Sequence, residues 1–152
     1  MLIGVITCSP HMNKKLLGQC VQIARTNLPR HPELGYYPHY SFIVQKNTLV
    51  DWGTNNREGV PPFLFKMYES RVFDNHGIPK LHSEVNAYRK VRNAIGLFDR
   101  DKSFEVVNIR LNAKADLRLS APCKCCSNFL KTVGCGCVYF STGIGEFAKV
   151  TL

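Results

Sequence analysis

The sequence predicts a single α/β domain built on a five-stranded mixed sheet flanked by helices. Three observations predict it. Apolar residues recur at helical spacing in three stretches, five short strand-like runs lie between and after them, and only Gly143 to Glu146 separate the last two runs. Parallel neighbours need a crossover of roughly a dozen residues or more. The last two strands are therefore expected to be antiparallel. At 152 residues the chain has the usual size of one domain, so residues 1–152 are taken as one unit.

The elements follow in order. Residues 2–8 are apolar and fit either a short strand or an apolar lead-in. Ser9 as cap and Pro10 at the first turn predict a helix over 10–27, with Leu16, Leu17, Cys20, Val21, Ile23 and Ala24 on its apolar side. Pro29 and Pro32 end it. Tyr40 to Lys46 and Leu49 to Gly53 read as a hairpin turning near Asn47 and Thr48. Residues 54–80, rich in Gly, Pro and Asn, read mostly as a long loop with room for a short helix at 63–68, of the kind that covers a site. A second helix is predicted over 82–97 and a third over 122–133, closed by Gly134. Strands are predicted at 104–112, 138–142 and 147–152.

Composition limits the function classes. With 45% hydrophobic and 20% charged residues and no low-complexity tract, the chain is not a disordered one. Its formal charge of +9 favours anionic partners such as nucleotides, nucleic acid or a membrane surface, or marks a merely soluble basic protein. No segment approaches the ~18 apolar residues of a membrane span. The seven cysteines come without a secretory pattern, so the expected setting is intracellular and cytoplasmic, the host cytoplasm if the chain is phage-encoded. In a reducing compartment clustered cysteines point to metal binding or catalysis rather than to disulfides.

Two motifs carry chemistry. His82-Ser83-Glu84 opens the second helix, and Pro122-Cys123-Lys124-Cys125-Cys126 opens the third. Cys123 and Cys126 are three apart, so a helix puts them on one face. The partial positive charge of a helix N-terminus favours the thiolates that zinc needs. With His82 they make three protein ligands for one catalytic Zn2+, whose fourth position stays open to water. Zinc lowers the pKa of bound water towards about 7. Glu84, two residues beyond the histidine, can take a proton from such a water and return it to a leaving amine.

The ordered pair, with 38 residues between Glu84 and Cys123, resembles the signature of the cytidine and deoxycytidylate deaminase superfamily. The resemblance runs from Tyr40 to Leu152, and the first helix also fits. It implies a three-layer cytidine-deaminase-like fold with zinc between two helix starts, and hydrolytic deamination of a cytosine base to uracil with release of ammonia. It further implies that Asn55 contacts the sugar or base, and that backbone groups at Ala121 read the base. Monomers, dimers, tetramers and hexamers all occur in the superfamily, so a homo-oligomer is possible. Asn86 and Ala87 complete an H-x-E-x-N-A run similar to deoxycytidylate deaminases, whereas the antiparallel ending is more like free-nucleoside cytidine deaminases. The stretch Asn55-Asn56-Arg57-Glu58 departs from the N-x-E of the nucleoside enzymes and resembles the G-x-N-x-R of a phage-like or metagenomic branch.

Three functions stay open at this level. The first is a deaminase of cytidine, deoxycytidine or their nucleotides. The second edits cytosine in single-stranded DNA or RNA. Arg57, Lys66, Arg71 and Lys80 would suit phosphate in either, and Phe63, Phe65 and Phe73 are candidates for base stacking in the second. The third is a nucleic-acid-binding module in which Cys123, Cys126, Cys135 and Cys137 close a structural zinc site, leaving His82 and Glu84 incidental. Against it, Cys135 and Cys137 read as small apolar residues at the start of a buried strand, and Cys125 as packing. Trp52 and Tyr88 read as core, and Asn55 also fits a plain turn residue.

Overall fold

The computed structural model describes residues 12–29, 38–55, 81–92, 96–143 and 145–152. The expectations for residues 2–8, Ser9, Pro10 and the long loop, with its cationic and aromatic candidates, lie outside the described residues. Helix α1 (Lys14–Thr26) begins later than residue 10, because Asn13 caps it. The Asn13 Oδ1 accepts the Lys15 N–H at 2.8 Å, satisfying a donor that the first turn leaves unpaired. Leu16, Cys20 and Ala24, spaced by four, form its buried stripe.

Strands β1 (His39–Gln45) and β2 (Thr48–Thr54) make the predicted hairpin. Its turn is Lys46-Asn47, one residue earlier than expected, with φ of 51° and 57°. Two consecutive left-handed residues match the twist of a two-residue hairpin, and asparagine tolerates that region well. Helix α2 spans Ser83–Arg92. The prediction that it reaches 97 fails at Gly96, whose φ of 111° is outside the helical range. Strand β3 (Phe104–Leu111) follows, then the two-residue β4 (Leu117–Arg118), helix α3 (Lys124–Thr132), β5 (Cys135–Ser141) and β6 (Phe147–Thr151). The fifth strand starts earlier than Val138, so Cys135 and Cys137 are both buried within it.

The strands lie in the order β2-β1-β3-β5-β6, with β4 paired to the end of β3. Among the described strands only β3 and β5 pair in parallel, and α3 supplies their crossover. The β5–β6 pair is antiparallel, as the short connection requires. The mixed sheet with helices on both faces confirms the predicted class, and β4 makes a sixth strand. Two residues carry no readable periodicity, which is why β4 was not predicted.

Two apolar layers sandwich the sheet. On one face α2 and α3 place Val85, Ala87, Val91, Phe129 and Leu130 against Ile43, Val106 and Val138. On the other, α1 packs on Tyr40, Phe42, Val107 and Ile109. Trp52 packs in the second layer, and Tyr88 stacks on Phe104 at 5.9 Å in the first. Both are half-buried and pack against the core. None of the six described cysteines is in a disulfide. Among the described residues no helix is long and apolar enough to cross a membrane.

One contact sets how closely α2 approaches the sheet. A Cβ at Gly53 would sit 2.5 Å from the Ala87 backbone nitrogen and 2.9 Å from its Cα. Backbone atoms cannot swing away as a flexible side chain can. Gly53→Ala is therefore expected to cost about 1–3 kcal/mol by overpacking. Gly18→Ala, on an exposed turn of α1 with nothing within 4 Å, should gain about 0.5–1 kcal/mol. Urea unfolding of both variants checks the pair. Equal stabilities would contradict the tight α2–β2 contact.

Candidate metal centre and proton-transfer site

The site forms where the N-terminal ends of α2 and α3 meet on one face of the sheet. His82 is the residue just before α2, and its carbonyl accepts the Asn86 N–H at 3.0 Å. Cys123 caps α3: its Sγ accepts the Cys126 N–H at 3.4 Å, and its carbonyl accepts the Ser127 N–H at 2.9 Å. A sulfur at a helix N-cap faces backbone donors, which stabilises negative charge there. Bonding from Cys126 is the largest influence holding the Cys123 thiol down to about 4. Bonds from His82 and the Cys126 backbone add to it, and burial opposes it.

The three predicted ligands converge. His82 Nδ1 lies 3.3 Å from Cys126 Sγ and 3.6 Å from Cys123 Sγ. All three ligand atoms fall within 4.8 Å of one another. Tetrahedral zinc, with bonds of about 2.0 Å to nitrogen and 2.3 Å to sulfur, places such a pair about 3.6 Å apart. The donor set and its spacing therefore fit zinc, and they come from residues of graded exposure: Cys126 buried, His82 half-buried, Cys123 exposed. An exposed side is what a ligand set with an open fourth position requires.

Glu84 lies in the first turn of α2, buried to 6% exposure. Its Oε1 accepts from Asn108 Nδ2 at 2.7 Å, and its Oε2 lies 3.3 Å from Ser83 Oγ. Asn108, Ser41 and Ser83 are buried polar residues on the face that otherwise carries the α2–α3 core. No motif in the sequence marks them. The available signal was a polar residue in the middle of two apolar strand runs, Ser41 and Asn108, which the register places directly opposite each other.

The remaining site residues sit around this centre. Asn55 follows β2; its Oδ1 accepts the His39 N–H at 2.9 Å, and its own N–H donates to the His39 carbonyl at 3.2 Å. It thus ties the ends of the first two strands together. Ala121 is exposed in the segment that leads from β4 to Cys123. Just before it, Ser120 is buried and fixed: its N–H donates to the Ser141 carbonyl at 2.9 Å and its Oγ to the Asn108 carbonyl at 2.8 Å. Asn86 donates to the Thr54 carbonyl at 2.8 Å, so it joins α2 to the end of β2 rather than facing the metal ligands. Burial holds His39 down to about 4, helped by the positive charges of Arg110 and His82.

The four-thiolate alternative is not assembled. Cys135 Sγ donates to the Cys137 carbonyl at 3.3 Å, and Cys137 Sγ contacts Glu105 Oε1 at 3.6 Å. Cys135 packs in the α2–α3 layer and Cys137 in the α1 layer, on opposite faces of the sheet. Burial pushes the Cys135 thiol far up and the Cys137 thiol up to about 11, the reverse of what thiolate ligation needs. Cys125 is half-buried against the α2–α3 core, as expected for packing.

No family profile and no curated protein matches the sequence. A solved structure does match the fold. The chain is similar to the crystal structure of dCMP deaminase from the cyanophage S-TIM5 in apo form, with a TM-score of 0.51. The identity is 16%, over 85% of this chain and 84% of that one. At that identity the likeness speaks for the fold.

The ligand set makes a direct expectation. Purified protein should carry about one zinc per chain, the count of a single three-ligand site. His82→Ala or Cys126→Ser should abolish it, and Cys135→Ala or Cys137→Ala should leave it in place. Elemental analysis after dialysis checks this. Zinc loss in the Cys135 or Cys137 variants alone would reinstate the structural site.

Proposed function

We propose that this chain is a zinc-dependent hydrolytic deaminase acting on a cytosine base carried by a free nucleoside or nucleotide. One observation carries the reading: a His/Cys/Cys triangle includes the histidine that opens the helix bearing a buried, oriented carboxylate. The fold it shares with a dCMP deaminase supports it.

The chemistry follows from the residues. His82, Cys123 and Cys126 would hold the zinc, which when bound supplies the Lewis acidity that makes water a nucleophile near neutral pH. Glu84 takes a proton as the water oxygen bonds to C4 of the base, and passes it to N3 as the C4–N3 double bond opens. It then moves the remaining hydroxyl proton to the exocyclic nitrogen, the C4–N bond to that nitrogen breaks, and ammonia leaves uracil behind. Backbone groups at Ala121, two residues before Cys123, would read the base. Asn55, held against His39, would meet the sugar.

A basic row across the sheet supports a phosphate-bearing substrate. Arg110 lies opposite Arg118, and His39, which burial keeps neutral, lies opposite Arg110. Directly opposed side chains share a face, and like charges so placed repel. Residues two apart also share a face, so this row lies one step from Ser41 and Asn108. An anion at this end of the sheet would relieve the repulsion. The formal charge of +9 favours the same conclusion and keeps single-stranded nucleic acid as a second reading.

A competition among dCMP, deoxycytidine, cytidine and a single-stranded DNA oligonucleotide, read by mass spectrometry, tests both. We expect dCMP to be converted fastest, and Glu84→Ala to slow conversion by about 10²–10⁴-fold. Conversion of the oligonucleotide alone would favour the second reading. No conversion of any substrate by zinc-loaded protein would contradict the assignment.

A further inference from the structure

We propose that Asn108 is a positioning residue that sets the carboxylate of Glu84 and locks it to the turn bearing Cys123; this rests on the deaminase reading above. The buried amide of Asn108 has three contacts, and each one leads to the site. Nδ2 donates to Glu84 Oε1 at 2.7 Å and to the Ser120 carbonyl at 3.4 Å. Oδ1 accepts from Ser41 Oγ at 2.7 Å.

The donors can be counted around this ring. An amide oxygen cannot donate, so the Ser41 hydroxyl must give its hydrogen to Asn108. Ser41 Oγ also lies 2.7 Å from Ser83 Oγ. Ser83 Oγ in turn donates to Glu84 Oε2 at the longer distance of 3.3 Å. The two carboxylate oxygens are thereby made unequal. Oε1 takes the short bond from Asn108, and Oε2 only the longer one from Ser83. The amide orientation of Asn108 is itself dictated, because only Nδ2 can donate to a carboxylate.

Its place in the sheet makes the bracket rigid. Asn108 sits on β3, paired with Ser41 of β1 on one side and Phe140 of β5 on the other. Ser120 is tied into the same strands: its Oγ bonds the Asn108 carbonyl and lies 2.8 Å from Ser141 Oγ, whose hydroxyl donates to the Arg118 carbonyl at 2.7 Å. Only Ala121 and Pro122 separate Ser120 from Cys123. A single amide thus spans the proton-transferring group and the lead into a metal ligand. A β-branched apolar residue would pack this central strand better, so the asparagine is retained at a cost in burial.

Asn108→Asp tests this, because it keeps the shape and the acceptor towards Ser41 but replaces the neutral donor with a second carboxyl that must share one proton with Glu84. The activity readout is kcat against KM on the best cytosine substrate, with bound zinc measured in parallel. We expect kcat to fall by about 10–100-fold, the usual effect of losing an outer-shell partner, with KM and zinc content nearly unchanged. A second measurement needs no turnover. The melting temperatures of Asn108→Ala, Glu84→Ala and the double variant should be non-additive, since contacting residues couple. Wild-type kcat in Asn108→Asp would overturn the positioning role, and so would a loss confined to KM. Additive melting shifts would overturn the contact itself. Absent turnover in the wild type, together with non-additive shifts, would contradict the deaminase reading while upholding the Asn108–Glu84 bracket.

Discussion

Glu84 is a carboxylate held under the first turn of α2, with 6% of its surface exposed. A group of this kind is costly to bury unless donors replace the water it loses. The protein supplies them from the sheet, and much of the architecture follows from that need. Polar residues interrupt the apolar runs of β1 and β3 at directly opposed positions, Ser41 and Asn108. Gly53 lets α2 approach the sheet closely, and Asn86 fastens the helix to the end of β2. The helix start is thereby fixed in height and rotation, and His82, one residue ahead of α2, is fixed with it.

The second helix start is held by a different device. The segment before α3 is exposed at Ala121 and Cys123 but anchored at Ser120, which bonds both β3 and β5. Cys123 then acts as the cap of the helix, so one sulfur serves backbone donors as well as the ligand triangle. Parallel pairing of β3 and β5 puts α3 on the same face as α2. Two helix N-termini, each favourable to negative charge, meet where the fold needs thiolates and a carboxylate together.

Much of this was legible in the sequence. The two motifs named three side chains whose donor atoms the fold brings within 4.8 Å of one another, because metal coordination tolerates few residue types and few spacings. The antiparallel end of the sheet was readable from chain length alone, since four residues cannot hold a crossover. Helix ends were less readable. Ser9-Pro10 is as good a start signal as Asn13, and only the tertiary burial of Leu16, Cys20 and Ala24 decides the register. Strand β4 was invisible because two residues have no period. Asn108 carries no readable signal for another reason. A lone asparagine in a strand looks like an imperfection until the fold brings a helix-borne carboxylate within 2.7 Å of it.

The central claim is an open three-ligand metal site beside an oriented carboxylate. X-ray absorption at the zinc edge of the metal-loaded protein tests it most directly. The structure calls for two sulfur neighbours at about 2.3 Å and two lighter ones, His82 and a solvent oxygen, at about 2.0–2.1 Å. A shell of four sulfurs would contradict it, for that would require Cys135 or Cys137 to leave the sheet and His82 to stand aside.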